Sequence, residues 1–493
     1  MRADMPSAPD LLIVFPNNRP RAYGALGTEV AALAPPVQCG LTAAYARARG
    51  LSVVLVDADA EGLLPAEVAT RTAAHAPRLV MISTDHMNTG DVTKMAAAEE
   101  VVHALHAHAA GVPVLLEGIV PSAYPAWILE RSGADYVCQG EPYAPIVGLV
   151  EHLRAGKGPP AAGEITGIWS QHKGRILEGQ RSPKWADVDA LPMTAWDLMP
   201  PSRYRAHHWH CFGRLEQRTP YAALFTNYGC PYHCTYCSVN VVAGGPNIRF
   251  RSLDRVMDEL QYLHRTWGVT SIRILDNIFT LRPDRLAEFC ERVIAAGLPL
   301  NMWAYARVET IKDPALLPLL KRAGVHWLAY GIEAAAEHVR QGVHKASGQD
   351  EIERVIGWTQ AAGIHIVGNF IFGLPDDDQH TMQQTLDMAC RYNVEWANFY
   401  CAMAYPGTKL YDQMKERGVA LPKEWSAYGQ YAADAHPLAT KHVSSREVLR
   451  FRDEAFECYY RRPEYQALLE KKFGGEAVAL IRGILSQKLR RNP

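Results

Sequence analysis

Twice along its 493 residues the chain alternates short, continuously apolar runs with amphipathic or Ala-rich stretches, and this rhythm restricts it to α/β architectures. From residue 10 to about 150 the runs are LLIVFP, SVVLVDAD, RLVMISTD, VPVLLEGIV and ADYVCQGEP, separated by segments such as LTAAYARARG and KMAAAEEVVHALHAHAAG. Runs with no polar alternate position fit strands buried on both faces of a parallel sheet. Residues 1–150 are therefore expected to form a doubly wound, Rossmann-like domain with its ligand beyond the carboxyl ends of the strands. From 221 to 407 six further runs follow: YAALFTNYG, SIRILDNIF, LNMWAYARV, WLAYGIEA, HIVGNFIFGLP and WANFYCAMAYPG. Six βα units predict a (β/α)6 partial TIM barrel, with an active site at the C-terminal ends of its strands. Residues 151–220 are rich in Pro, Gly and aromatics, as in ALPMTAWDLMPPSRYRAHHWHCFG. They predict a connector that packs across the domain junction, since so many Trp and Tyr residues argue against disorder. Residues 408–493 read as a small, mainly helical region.

Charge and hydropathy exclude some partners. The formal charge is −1, which gives no overall electrostatic footprint for nucleic acid. No segment approaches the roughly 18–20 apolar residues of a membrane span. The short run Leu11 to Phe15 reads as a buried first strand and not as a signal peptide. A cytoplasmic location with no membrane partner is the expectation. Seven of the ten cysteines are scattered and read as small core residues of a reducing compartment.

The other three are grouped. TNYGCPYHCTYCSVN, residues 226–240, places Cys230, Cys234 and Cys237 in the spacing C-x3-C-x2-C, directly after the first strand of the second domain. Three thiolates fall one short of a closed tetrahedral zinc set. They suit three irons of a [4Fe–4S] cube whose fourth iron stays open to a small molecule. A zinc site with a distant fourth ligand, or three buried thiols grouped by chance, are the alternatives.

This loop on a six-unit barrel resembles the radical S-adenosylmethionine (SAM) enzymes. The resemblance implies that Cys230, Cys234 and Cys237 hold the cluster and that its open iron binds SAM. It further implies cleavage to a 5′-deoxyadenosyl radical, driven by an external one-electron reductant such as flavodoxin or ferredoxin. By the same resemblance, cofactor-binding positions fall at strand ends. Asp276 and Asn277 lie where the family contacts the SAM amino group, although Asp276 also reads as a helix cap. Arg307 would meet the SAM carboxylate and Glu333 the ribose hydroxyls, with a buried Arg307–Glu333 pair as the competing reading. Tyr236 would pack near adenine, and Gly368 with Gly373 would allow close approach of the adenosyl moiety.

The N-terminal domain ahead of such a barrel resembles the cobalamin-binding class of these enzymes, on PRLVMIS, GVPVLLEGIVPSAYP and GADYVCQGEPYAPIVGLV. The resemblance implies that Ser83, Thr84, Gly118, Gly140 and Glu141 face the corrin and its nucleotide tail. A vestigial scaffold without cobalamin is the competing reading. The segment FPNNRPRAYGALGTEVAALAPP has no histidine where cobalamin proteins carry D-x-H-x-x-G, and His86 has the wrong spacing to replace it. Cobalt with neither its own base nor a histidine beneath it is therefore implied. AWDLMPPSRYRAHHWHCFG, PPVQCGLTAAYARARG, VDADAEG and NIRFRS resemble the branch containing the fosfomycin-pathway methylase and the phosphinate P-methylases. That branch implies methyl transfer from SAM by way of cobalamin to an unactivated carbon, or to phosphorus, of a small metabolite. A non-methylating rearrangement, cyclisation or decarboxylation is the alternative. Cys401 and Tyr405, at the end of the sixth strand, are expected to face the pocket as hydrogen donors or substrate contacts. Lys345 and Arg340 offer charges for an anionic substrate, against a default of surface placement. His207, His208, His210 and Cys211 offer a metal set, against lining of the domain junction.

Overall fold

The computed structural model describes residues 8–23, 31–84, 89–109, 111–185, 187–345 and 347–492. His86 lies outside the described residues. In the first half, β1 (Leu11–Phe15), β2 (Val53–Asp57), β3 (Leu79–Ser83), β4 (Val114–Glu117) and β5 (Tyr136–Cys138) form a parallel sheet in the order β2-β1-β3-β4-β5. Every residue of β1, β3, β4 and β5 is buried, as helices on both faces require. The strand order reverses at β1, so the ligand crevice lies beyond the ends of β1 and β3. Two further strands, β6 (Ile168–His172) and β7 (Arg175–Leu177), come from the Pro- and Gly-rich segment and continue the same sheet antiparallel beyond β5.

The second half contains β8 (Tyr221–Leu224), β9 (Asn227–Cys230), β10 (Asn247–Phe250), β11 (Ser271–Ile274), β12 (Asn301–Ala306), β13 (Val325–Glu333), β14 (His365–Phe372) and β15 (Trp396–Cys401). Six of them pair in the order β15-β14-β13-β12-β11-β8, all parallel. The first and last of these strands do not pair, so the result is the open, partial barrel that six βα units predict. Strands β9 and β10 form a separate antiparallel hairpin. Barrel helices start on local caps: Ser252 Oγ accepts from Arg255 N, and Asp378 forms a reciprocal capping box with Thr381.

Helix Ser445–Arg461 covers β14 and β15 from outside. The hydroxyls of Tyr459, Tyr460 and Tyr465 donate to the carbonyls of Val394, Ala397 and Glu395 at 2.6, 2.8 and 3.0 Å. Across the domain junction one apolar core is continuous. Trp196, Tyr204, Trp209 and Phe212 of the connecting segment are buried in it. Trp209 meets Trp303 and Trp327 edge-on, each at 5.2 Å. No helix among the described residues is long and apolar enough to cross a membrane.

The metal set offered by His207, His208, His210 and Cys211 is dispersed. His210 bonds the Asn301 carbonyl at 2.9 Å and His208 meets Arg218 at 2.9 Å. Cys211 sits 3.5 Å from Ser271 Oγ. Asn301 and Ser271 begin β12 and β11, so this group packs the N-terminal end of the barrel, which serves stability.

Candidate active site

Cys230 ends β9, and Cys234 and Cys237 sit on the loop that joins β9 to β10. In the hairpin Cys230 is paired with Asn247, Gly229 with Ile248 and Tyr228 with Arg249. Gly229 has φ +88°, and a Cβ there would lie 2.6 Å from the Asn247 carbonyl oxygen; only glycine fits this close approach. Cys230 N donates to Asn240 Oδ1 at 3.1 Å, and Asn240 Nδ2 donates to the Tyr232 carbonyl at 3.1 Å, which closes the loop. Cys237 N donates to the Cys234 carbonyl at 3.2 Å. All three cysteines are part-exposed and none is in a disulfide. Among the described residues no trio of His, Cys, Asp or Glu side chains stands close enough to hold a single metal ion. Burial pushes the Cys230 thiol up, while the Tyr232 backbone, Arg307 and Lys345 oppose that rise.

Asp276, at the end of β11, is fully buried and accepts from Thr226 N at 2.7 Å, Asn227 N at 3.0 Å, Asn227 Nδ2 at 2.6 Å and the Thr226 hydroxyl. It braces the turn that leads into β9. Burial pushes its carboxyl up to about 6 against those hydrogen bonds. Asn277 beside it is half-buried. Below this turn, Arg251 donates to Glu259 at 2.7 Å and to the Phe225 carbonyl at 3.0 Å. Trp196 Nε1 donates to the other Glu259 oxygen at 3.0 Å.

Arg307 and Glu333 do not pair with each other. Arg307 bonds Glu309 at 2.6 Å, points Nη1 at Cys234 Sγ at 3.4 Å and lies 3.9 Å over the Tyr232 ring. Glu333 accepts from Tyr236 at 2.9 Å and from Lys345 at 3.2 Å. It has φ +67° beside a register shift in β13, a strained conformation that clusters at functional sites. Gly331 makes room for this pair, since a Cβ there would meet Glu333 Oε1 at 2.5 Å and Lys345 Nζ at 3.0 Å. Lys345 is thus buried and not on the surface. Arg340 is also buried, bonded to the carbonyls of Ala334, Ala335 and Ser347, so it shapes the loop instead of offering a free charge.

The expectation for Cys401 differs from its placement. Its thiol lies 4.0 Å from the Val448 carbonyl under helix Ser445–Arg461, and burial pushes it up to about 12. Ala397, Phe399 and Cys401 share one face of β15 against that helix, while Asn398 and Tyr400 share the opposite one. Tyr405 does reach the junction. Its hydroxyl accepts from Gln430 at 3.2 Å and lies 4.0 Å from where a Cβ on Gly90 would be. Gly368 is small for the Phe370 ring, which a Cβ would meet at 2.8 Å, and Gly373 for Val448, at 2.5 Å.

In the first domain, Ser83 donates to the buried Glu117 carboxylate, and the Thr84 hydroxyl donates to the Glu117 carbonyl at 2.9 Å. Gly118 (φ +133°) opens the helix after β4, and Gly140 (φ +105°) opens the loop after β5. Glu141 is engaged by Arg249 of the cysteine hairpin at 2.6 and 3.0 Å. A cleft of about 620 Å³ runs along its other side between Pro145 and Lys184, away from the cysteines. Beyond β1, Asn17 Oδ1 and Asn18 Oδ1 are buried without a hydrogen-bond partner, where sequence alone offered only the absence of a histidine. At Gly407 three segments converge: a Cβ there would lie 3.3 Å from Ile119, 3.4 Å from Ala123 and 3.7 Å from Val241. The helix after β4, the cysteine loop and the segment after β15 therefore share one junction.

Two family models match the chain: the B12 binding domain over residues 23–150 and the Radical SAM superfamily over residues 224–389. The chain carries a B12-binding domain followed by a radical SAM domain. An uncharacterised methyltransferase from Pyrococcus horikoshii is 27% identical over 330 residues, 67% of this chain and 68% of that protein. The anaerobic magnesium-protoporphyrin IX monomethyl ester cyclase of Rubrivivax gelatinosus is 24% identical over 411 residues, 83% of this chain and 70% of its own length. The cytidylyl-2-hydroxyethylphosphonate methyltransferase of Streptomyces wedmorensis is 24% identical over 340 residues, 61% of this chain and 60% of its own. The radical SAM methyltransferase TsrM from Kitasatospora setae, solved with cobalamin and a [4Fe–4S] cluster, superposes with a TM-score of 0.65 at 18% identity over 84% of this chain and 76% of its own. The radical SAM and B12-binding domains are thus those of an enzyme, joined in the fold order of TsrM.

Proposed function

We propose that the protein is a cobalamin-dependent radical SAM methyltransferase acting on an unactivated carbon, or on phosphorus, of a small metabolite. The observation that carries this reading is the convergence at Gly407, where the cysteine loop and the helix after β4 of the B12-binding domain face one junction. The residues present fit the groups. Cys230, Cys234 and Cys237 would hold a [4Fe–4S] cluster, and Tyr236, Arg307 and Glu333 line its side of the barrel. Asn17 and Asn18 offer orphaned acceptors beside the first domain's crevice. When bound, cluster, SAM and cobalamin supply an electron, a radical source and a methyl carrier.

The chain's own task is positioning and exclusion of water. The Glu333 carboxylate, fixed by Tyr236 and Lys345, is an acceptor for hydroxyl donors. Arg307 keeps a cationic group against Cys234. Tyr23 stacks on Tyr431 at 5.7 Å and closes one side of the junction between the domains. The magnesium-protoporphyrin cyclase relative favours a second reading, radical cyclisation without methyl transfer. Anaerobic reconstitution with iron, sulfide and cobalamin, followed by SAM and a strong reductant, separates the two. The proposal expects 5′-deoxyadenosine together with cobalamin-dependent S-adenosylhomocysteine. Deoxyadenosine alone supports cyclisation, and neither product refutes both.

A further inference from the structure

The hairpin that carries the cysteines belongs to neither large sheet, and a two-stranded ribbon is marginal by itself. Something else must hold it. On β10, Arg249 grips Glu141 through Nη2–Oε1 at 2.6 Å and Nη1–Oε2 at 3.0 Å, with both side chains only 12% exposed. A two-pronged pair of this kind fixes direction as well as distance. Arg249 Nη1 also donates to the Trp185 carbonyl at 2.6 Å, and the Trp185 N–H donates back to Glu141. Arg249 Nε donates to Asn247 Oδ1 at 3.1 Å, and Asn247 is the register partner of Cys230. Hydrogen bonds therefore run from the loop after β5 of the B12-binding domain to Asn247, directly across the hairpin from the first cysteine. Between the last cysteine and β10, Arg181 of the connecting segment donates through Nη2 to the Ser122 carbonyl and through Nη1 to the Val241 carbonyl, both at 2.8 Å. The first domain and the connecting segment thus hold the hairpin at two points after the last cysteine, Val241 and Arg249.

We propose that Glu141 and Arg249 are positioning residues that set the cysteine hairpin against the B12-binding domain, so that SAM cleavage and methyl delivery share one geometry. The proposal assigns Glu141 to the domain junction, not to corrin contact, and it rests on the function proposed above. The test is a charge-reversal cycle in the full chain, E141R, R249E and E141R/R249E, read by amide hydrogen exchange across residues 227–250 before reconstitution. Each single variant is expected to raise exchange at Tyr228–Cys230 and Ile248–Phe250 about tenfold, and the double variant to return within about threefold of the parent. After reconstitution, the singles should yield less S-adenosylhomocysteine per 5′-deoxyadenosine, and the double should recover the parental ratio. Unchanged exchange in the singles, or a double as loose as they are, overturns the proposal. If a reversed variant does not fold, E141Q and R249K take its place and are judged by the same exchange. Should the parent make neither product, the proposed function fails while exchange still decides the clamp.

Discussion

The ion pair beneath the cysteine hairpin gives a prediction whose size can be worked out. Arg251 and Glu259 meet at 2.7 Å with side chains 7% and 0% exposed, and Glu259 also accepts from Trp196 of the connecting segment. Replacing Glu259 by Leu strands the guanidinium in the core, which costs about 3–5 kcal/mol. It also orphans the Trp196 N–H, for roughly 1–3 kcal/mol more. The single variant should therefore lose about 5 kcal/mol, within a range of about 4–8. Replacing both residues, as R251M/E259L, removes the buried charge altogether. The Trp196 N–H and the Phe225 and Arg255 carbonyls then lose a partner, for roughly 1–3 kcal/mol. A chain of several domains is not a two-state system, so the assay is exchange-derived free energy within helix Leu253–Trp267. A single variant that loses less than about 1 kcal/mol, or a double as unstable as the single, refutes the reasoning that the charge pair dominates here.

Three further outcomes are expected. Substituting Ala at Cys230, Cys234 or Cys237 should abolish iron and sulfide uptake on reconstitution, while C401A should keep parental uptake, because Cys401 lies under the outer helix; equal losses would undo that separation. His210 is held down to about 3 by burial, so its neutral form stabilises the fold fully above about pH 6.5; that contribution falls by about 1.4 kcal/mol per pH unit on acidification towards 3. H210F should flatten that part of an acid-unfolding profile, and an unchanged slope would count against it. Arg491 bonds Asp453 and the carbonyls of Gln430 and Ala432; R491A should raise hydrogen exchange across residues 429–435 by about a hundredfold or more, the loss of two charge-assisted bonds worth roughly 3 kcal/mol together, with the barrel strands unaffected.

The barrel and the first sheet were legible because continuous apolar runs report two-sided burial directly, and the cysteine spacing located the loop. Period-two parity carried information about Cys401 as well. It lies in step with Ala397 and Phe399 and out of step with Asn398 and Tyr400, so a residue on the pocket face would have been one position away. Other features had no local signal. Strand β10 is four half-exposed residues, NIRF, too short and polar to stand out. The Glu141–Arg249 pair joins residues 108 positions apart, and the burial of Lys345 follows from a missing Cβ at Gly331. Asp276 was legible as a carboxylate at a strand end, but its four donors come from a turn about fifty residues earlier.

The antiparallel pair β6 and β7 has a practical meaning for anyone dividing the chain. Strand β5 has only three residues, and its outer edge is taken up by β6. A fragment ending near residue 150 would leave that edge bare, presenting unpaired backbone groups to any passing strand. It should associate with itself. Extending the fragment through Leu177 covers the edge with the chain's own hairpin.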